Sequence, residues 1–344
     1  MRIVVDINHP GHVHLFKNFI EIMKSKGHDI LITASEKEVS LELLDLYKFE
    51  YVNLGSYGKS PFEKLLSIPK LDYMMYKAVK NFNPDIFLGV GSIRASHVAY
   101  FTGKPCIAFE DTEHCKEQHL LYVPFTSKIL TPTCFKKEFR KKQVPYSGYH
   151  ELAYLHPNYF TPNPDVLKEF GLTEDDNYTI LRFVSWNASH DLGHHGLSLE
   201  DKRKAVYEIG KYGRVLITSE KPLPDDLDKL KIFVSPEKIH DLLYYAALLY
   251  GESATMASEC AVLGTHAIFC DFAGRGYTDE EEQKYNLVFN FYDEISMAKN
   301  SLNRAIELLK NPNLKKEGKN KREILLNDKI DVTSFMVQFV EQYN

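Results

Sequence analysis

Two kinds of apolar pattern alternate along this chain. Arg2-Ile3-Val4-Val5-Asp6-Ile7 is a short continuous run that predicts a buried strand, and Asn8-His9-Pro10-Gly11 is the turn that ends it. From His12 to Lys26 the period changes: Val13, Phe16, Phe19, Ile20 and Met23 form one helical stripe, and Gly27 supplies the stop. Asp29 to Thr33 is a second strand. Strand, glycine-containing turn, helix and strand open a doubly wound α/β domain, in which ligands collect at the carboxyl ends of the strands.

The alternation continues. A helical stretch runs from about Pro61 to Phe82, Asn83-Pro84-Asp85 hands over to the strand Ile86–Val90, and Gly91-Ser92 begins another helix. Pro105–Phe109 is a strand that ends in acids. Thr161-Pro162-Asn163-Pro164 reads as a linker, followed by a short helix from Asp165 to Gly171. Tyr178–Val184 then opens a second α/β unit as Arg2–Ile7 opened the first. A helix at Lys202–Tyr212, strands at Arg214–Thr218 and Lys231–Val234, and a helix begun by Ser235-Pro236-Glu237 follow, the last turning Ile239, Leu242 and Leu243 toward a core. From Asp293 the chain is largely helical. The expected organisation is an N-terminal domain at 1–160, a C-terminal domain at 161–325 and a last helix at 326–344 packing back on the first domain.

Composition narrows the class. The 344 residues, 44% hydrophobic and 26% charged, suit a water-soluble globular protein of about two domains. A net charge of −5 gives no basic field for nucleic acid. Five cysteines with no Cys-x-x-Cys pair argue against a disulfide framework and fit a reducing cytoplasm. The chain opens on a strand without a leader pattern, and no 18-residue apolar run is present, so neither secretion by that route nor a membrane span is expected.

The stretch richest in chemistry is 246–271. An apolar run, Ala246–Gly251, gives way to Glu252-Ser253-Ala254-Thr255-Met256, then to a two-turn helical pattern closed by Gly264, then to the apolar run His266–Asp271. The start of such a helix leaves backbone N–H groups unpaired, with the positive end of the helix dipole behind them, and welcomes an anion. Ser253 and Thr255 add hydroxyl donors. Glu259, too far along for a capping box, is placed to accept hydrogen bonds from both hydroxyls of a ribose one turn behind a diphosphate.

Ser253-Ala254-Thr255 followed by Glu259, Ala261, Leu263 and Gly264 resembles the nucleotide-sugar motif of the GT-B superfamily, which includes many glycosyltransferases and the UDP-N-acetylglucosamine 2-epimerases. Ala254 stands where glycine is common, and His266 where proline is common. The chain also resembles an uncharacterised prokaryotic family of GT-B-like proteins. The resemblance implies an α/β GT-B fold, two Rossmann-like domains facing across a cleft, with a nucleotide diphosphate sugar, UDP-linked, on the second domain and no catalytic metal or cofactor. Met256 lies in the same phosphate-binding turn. The backbone near Val234 and Ser235 would hold the base of the nucleotide. Ser185, Asn187 and His190, in the polar loop after Tyr178–Val184, would face the leaving diphosphate, and Arg275, between Gly274 and Gly276, would reach phosphate or sugar. A metal cluster of His190, Asp191, His194 and His195 is the rival reading of that loop.

In the first half, Pro10-Gly11-His12-Val13 followed by Lys26-Gly27-His28-Asp29 resembles the first β-α-β unit of GT-B glycosyltransferases. The resemblance implies that His12 is the base that deprotonates the acceptor, with Gly11, Gly91 and Ser92 on the acceptor side; imidazole suits the role because its pKa lies near neutrality. Asp6 is either an orienting partner for His12 or an acceptor for its own loop. Glu110 best matches the place where the epimerases carry an acidic catalytic residue, and the crowded carboxylates there, Asp111 among them, can yield an acid–base pair. A metal site from His114, Cys115 and His119 has no established ligand spacing. Phe135–Lys142 is a basic, aromatic helical face suited to anionic lipid and to a peripheral place at the inner face of the membrane. The expected function is transfer of a sugar from a nucleotide diphosphate sugar, such as UDP-N-acetylglucosamine, to an acceptor of a glycan or lipid pathway. A UDP-N-acetylglucosamine 2-epimerase and a non-catalytic nucleotide-sugar binder are the alternatives; the oligomeric state is left open.

Overall fold

The computed structural model describes residues 1–58, 60–184 and 196–343. The chain divides into two compact units, one of residues 1–154 with 330–344 and one of residues 155–329.

The first unit is built on seven parallel strands: β1 (Arg2–Ile7), β2 (Asp29–Ala34), β3 (Tyr51–Asn53), β4 (Ile86–Val90), β5 (Cys106–Phe109), β6 (Lys128–Pro132) and β7 (Gln143–Tyr146). Their spatial order is β3-β2-β1-β4-β5-β6-β7, so the direction of winding reverses between β1 and β4. That reversal opens a crevice at the strand ends, where doubly wound folds bind ligands. Val4 pairs with Leu31 and Phe87, and burial on both sheet faces explains why Ile3, Val4, Val5 and Ile7 are apolar on both faces of the strand rather than alternating. The helix Pro10–Ser25 turns Val13, Phe16, Phe19, Ile20 and Met23 fully inward, which is the stripe expected from the sequence. The C-terminal helix Val332–Gln342 belongs to this unit: Thr333 Oγ1 donates to the Ala153 carbonyl at 2.7 Å, and the Phe335 ring stacks on Tyr146.

The second unit holds five parallel strands, β8 (Tyr178–Phe183), β9 (Arg214–Ser219), β10 (Leu248–Gly251), β11 (His266–Cys270) and β12 (Val288–Phe291), in the order β12-β11-β10-β8-β9. Here the winding reverses between β8 and β10, and the signature stretch leaves the sheet at that point. Gly251 is required there: a Cβ would meet the Arg182 carbonyl oxygen at 2.2 Å, so only glycine lets β10 approach β8 so closely. The helix Ala254–Leu263 ends on Gly264, whose φ of +78° is the left-handed cap that stops a helix without steric cost.

Two expected elements differ. Lys231–Val234 is not a strand; Lys231 makes one isolated bridge to Ile217 of β9, and Phe233 is 86% exposed, because the pairing with β9 stops at that bridge before the run reaches Ser-Pro. Phe135–Lys142 is not a helix either: only Arg140–Lys142 forms a single tight turn. Its aromatics face inward, with Phe135 stacked on Phe139 and Phe139 edge-on to His119. Lys142 Nζ is spent on the carbonyls of Val123 and Pro124 at 2.7 and 2.9 Å. That segment therefore presents no amphipathic helix to a lipid surface. No described helix is long and apolar enough to cross a membrane.

Candidate functional site

In the first unit, the ends of β1, β4 and β5 bring most of the expected residues to one edge of the sheet. Asp6 is fully buried and its carboxylate is saturated. Thr33 Oγ1 donates to one oxygen at 2.6 Å; Asn8 Nδ2 and Ser92 Oγ donate to the other at 2.8 and 2.5 Å. Arg94 spans both, Nε at 2.9 and 3.1 Å and Nη2 at 2.7 Å, while its Nη1 reaches Ser35 Oγ at 2.7 Å. Asp6 thus accepts from its own loop and from Arg94, and has no recorded bond to His12. Ser92 caps the helix Ile93–Phe101 as well as bonding Asp6, so the turn at Gly91-Ser92 is held from two directions. Gly91 has φ +49°, and a Cβ would crowd Gln118 Nε2 at 2.8 Å and Glu110 Oε2 at 3.3 Å. Gly11 lies in the first turn of the helix Pro10–Ser25, its N–H donated to the ring of His9 at 3.1 Å.

His12 is half-buried, and its Nδ1 accepts the backbone N–H of Asn8 at 3.2 Å. A backbone amide only donates, so a neutral His12 carries its hydrogen on Nε2. Burial first, then the positive charge of His9, Lys37 and His150, push the His12 pKa well below the ordinary imidazole value, against a smaller pull from Asp111. The ring is therefore held neutral, with Nε2 as a donor.

Glu110 is almost wholly buried and internally bonded: Thr112 N–H donates to Oε1 at 2.9 Å and Tyr122 Oη to Oε2 at 2.7 Å, with His119 Nε2 at 3.2 Å. Asp111, next along, faces His150, whose Nδ1 lies 2.9 Å from Asp111 Oδ2. Glu110 and Asp111 each turn to a separate histidine. Sequence reading missed His150 and Arg94. Arg94 had a local signal, a charge inside the apolar run Ile93–Phe101, whereas His150 had none.

In the second unit, Ser253 caps the helix Ala254–Leu263, its Oγ accepting from Met256 N–H at 3.3 Å. Ser253, Ala254, Thr255 and Met256 are half-exposed, while Ala257 to Leu263 are buried, so the helix offers solvent only its positive end. Glu259, 5% exposed, pairs through Oε1 with His240 Nε2 at 2.9 Å, which fixes the carboxylate at the flank of the turn. Glu252, a second buried acid missed in the sequence, accepts the N–H groups of Val184 and Leu197 at 3.1 and 2.7 Å, with Lys202 Nζ at 3.4 Å. The expected residues Ser185, Asn187 and His190, and the rival metal cluster with them, lie outside the described residues.

Val234 and Ser235 precede the tight turn Pro236–Lys238, and the hydroxyl of Ser235 bonds Glu237. Arg275 is turned inward, its guanidinium on the Ala273 carbonyl and 3.4 Å from Asp271 Oδ2. It caps its own loop in this structure. None of Cys106, Cys115, Cys134, Cys260 and Cys270 forms a disulfide.

Comparison with known proteins bears on the fold and the lineage. A family profile described as "Protein of unknown function (DUF354)" matches residues 1–343. An uncharacterized protein of Methanocaldococcus jannaschii is 24% identical over 276 residues, 77% of this chain and 80% of that one. The UDP-N-acetylglucosamine-N-acetylmuramyl-(pentapeptide) pyrophosphoryl-undecaprenol N-acetylglucosamine transferase of Buchnera aphidicola is 32% identical over 127 residues, 33% of this chain and 35% of that one. Among solved structures, the UDP-GlcNAc 2-epimerase of Neisseria meningitidis, bound to UDP-GlcNAc, superposes with a TM-score of 0.74 at 12% identity, covering 99% of this chain and 100% of that one. The two parallel sheets of seven and five strands are those of a GT-B fold.

Proposed function

This chain belongs to the DUF354 family of proteins of unknown function, and we propose that it is a glycosyltransferase that takes a nucleotide diphosphate sugar, UDP-linked, as donor. The observation that carries the reading is the start of the helix Ala254–Leu263. It stands at the reversal point of the second sheet, open to solvent, with Glu259 buried and anchored one turn behind it. A diphosphate on the N–H groups at Ser253–Thr255, with the Met256 N–H held by the Ser253 cap, and a ribose on Glu259 would use both features. The relatives support the same ligand class, since one is named a transferase of N-acetylglucosamine and another was solved with UDP-GlcNAc.

Transfer rather than epimerisation is favoured by Glu110. An acid that moves the proton at C2 of the sugar has to reach the substrate. Glu110 instead spends both oxygens on Thr112 and Tyr122 beneath the surface. A lipid-linked acceptor is supported by the helix Pro61–Val79, where Phe62, Leu65, Leu66, Tyr73 and Tyr76 are exposed beside Lys64, Lys70 and Lys77.

The test of the donor assignment is calorimetric titration of the purified protein with UDP and with UDP-N-acetylglucosamine. Saturable one-to-one binding, with UDP displaced by the sugar nucleotide, is the expected result. No heat from UDP, UDP-N-acetylglucosamine or other nucleotide diphosphate sugars would overturn the reading.

A further inference from the structure

The sequence points to His12 as the base, but the two histidines at this sheet edge are set in opposite senses. His150 follows β7 and is only 8% exposed. Its Nδ1 is 2.9 Å from Asp111 Oδ2, and a carboxylate accepts, so the ring hydrogen lies on Nδ1 and the lone pair on Nε2. That Nε2 is buried and has no hydrogen-bond partner among the described residues. Buried polar atoms are nearly always satisfied, so one left open beside a catalytic-type dyad marks a place for a group the chain itself does not supply. His12 has the reverse arrangement, its Nδ1 occupied by the Asn8 N–H and its hydrogen on Nε2. One ring donates and the other accepts, and positive charge on His150 disfavours protonation of His12.

We propose that His150, oriented by Asp111, is the group that accepts the proton of the acceptor hydroxyl, and that His12 donates a hydrogen bond to the substrates instead. The assignment rests on the glycosyltransferase reading. As the hydroxyl oxygen forms its bond to the anomeric carbon, its proton passes to His150 Nε2. The bond from that carbon to the diphosphate oxygen breaks, and its electron pair leaves with the nucleoside diphosphate. The imidazolium then returns its proton to water. Asp111 stabilises the imidazolium through the charged hydrogen bond at Nδ1. The electrostatics agree: burial disfavours a charged His150, but Asp111 first, then Glu151 and Glu110, outweigh it and raise its pKa above the ordinary value. His12 is shifted the other way.

Two measurements on wild type and on His150→Gln, Asp111→Asn and His12→Gln test this. Long-range proton–nitrogen spectra of histidine-labelled protein report the tautomers: His150 is expected with its hydrogen on Nδ1 and His12 with its hydrogen on Nε2. Release of UDP from UDP-N-acetylglucosamine, with water or a simple alcohol as acceptor, reports turnover. His150→Gln is expected to lower kcat by about 100-fold or more with UDP affinity unchanged. Asp111→Asn, which preserves shape, should lower kcat and shift the basic group of the pH–rate profile downward, while His12→Gln leaves that group in place. A neutral His150 with its hydrogen on Nε2 and none on Nδ1, or wild-type turnover by His150→Gln, overturns the assignment while leaving the transferase reading intact. A wild type that binds UDP but consumes no sugar nucleotide also overturns it, since no proton is taken. Absence of UDP binding by wild type removes the transferase reading itself.

Discussion

Replacing Arg94 by methionine is expected to cost the first unit about 3–5 kcal/mol and to lower its thermal midpoint by roughly 10 °C. Both members of the Arg94–Asp6 pair are wholly buried, and the guanidinium makes three of the contacts that compensate the Asp6 carboxylate. Removing the cation leaves a charge in a low-dielectric interior with only Thr33, Ser92 and Asn8 as donors. The same network sets the ends of β1 and β4, since Ser92 bonds Asp6 and caps the next helix. Pairing Arg94→Met with Asp6→Asn is expected to restore part of the loss, because a neutral amide needs no counter-charge. Thermal unfolding followed by circular dichroism checks both. A loss below about 1 kcal/mol for Arg94→Met would mean that the pair contributes no more than a surface ion pair.

The second large effect falls on ligand affinity. Glu259→Gln is expected to weaken UDP binding by about 10- to 100-fold, the worth of one charged hydrogen-bonded contact of roughly 1.5–3 kcal/mol. Glutamine keeps the length and shape of the side chain and can still accept from His240, so the helix remains anchored and the loss reads the charge at the ribose. The same substitution should leave binding of inorganic pyrophosphate nearly unchanged, because in the proposed site that ligand would sit at the helix start and not on Glu259. Equal UDP affinity in variant and wild type would assign Glu259 to holding His240 alone.

How much of this was legible in the sequence depended on whether the signal was local. The opening strand, the stripe of Val13, Phe16, Phe19, Ile20 and Met23, and the two-turn helix closed by Gly264 are each written in a single window, and each formed. The strands β6, β7 and β12 escaped notice because runs such as Lys128–Pro132 and Gln143–Tyr146 are short and carry polar residues or proline at positions that only their sheet neighbours explain. Lys231–Val234 erred the other way, an apolar run that meets β9 at one bridge and continues no further as a strand. The candidate site divides likewise. Ser253, Glu259, Glu110 and Asp111 could be picked out from residues close to them in the chain. The pairings that set their chemistry, Asp111 with His150, Glu259 with His240 and Asp6 with Arg94, join separate elements and appear only once the sheets are assembled. His12 shows the limit most clearly: its position was apparent, but its tautomer was decided by one backbone N–H, that of Asn8.

The most direct test of the central claim is proton NMR of UDP-N-acetylglucosamine incubated with the purified protein in heavy water, without an added acceptor. Transfer chemistry predicts an intact C2 proton signal, with slow appearance of UDP as water takes the place of the acceptor. Loss of the C2 proton, with or without a new anomeric signal, would show proton exchange at that carbon and contradict the account in favour of an epimerase.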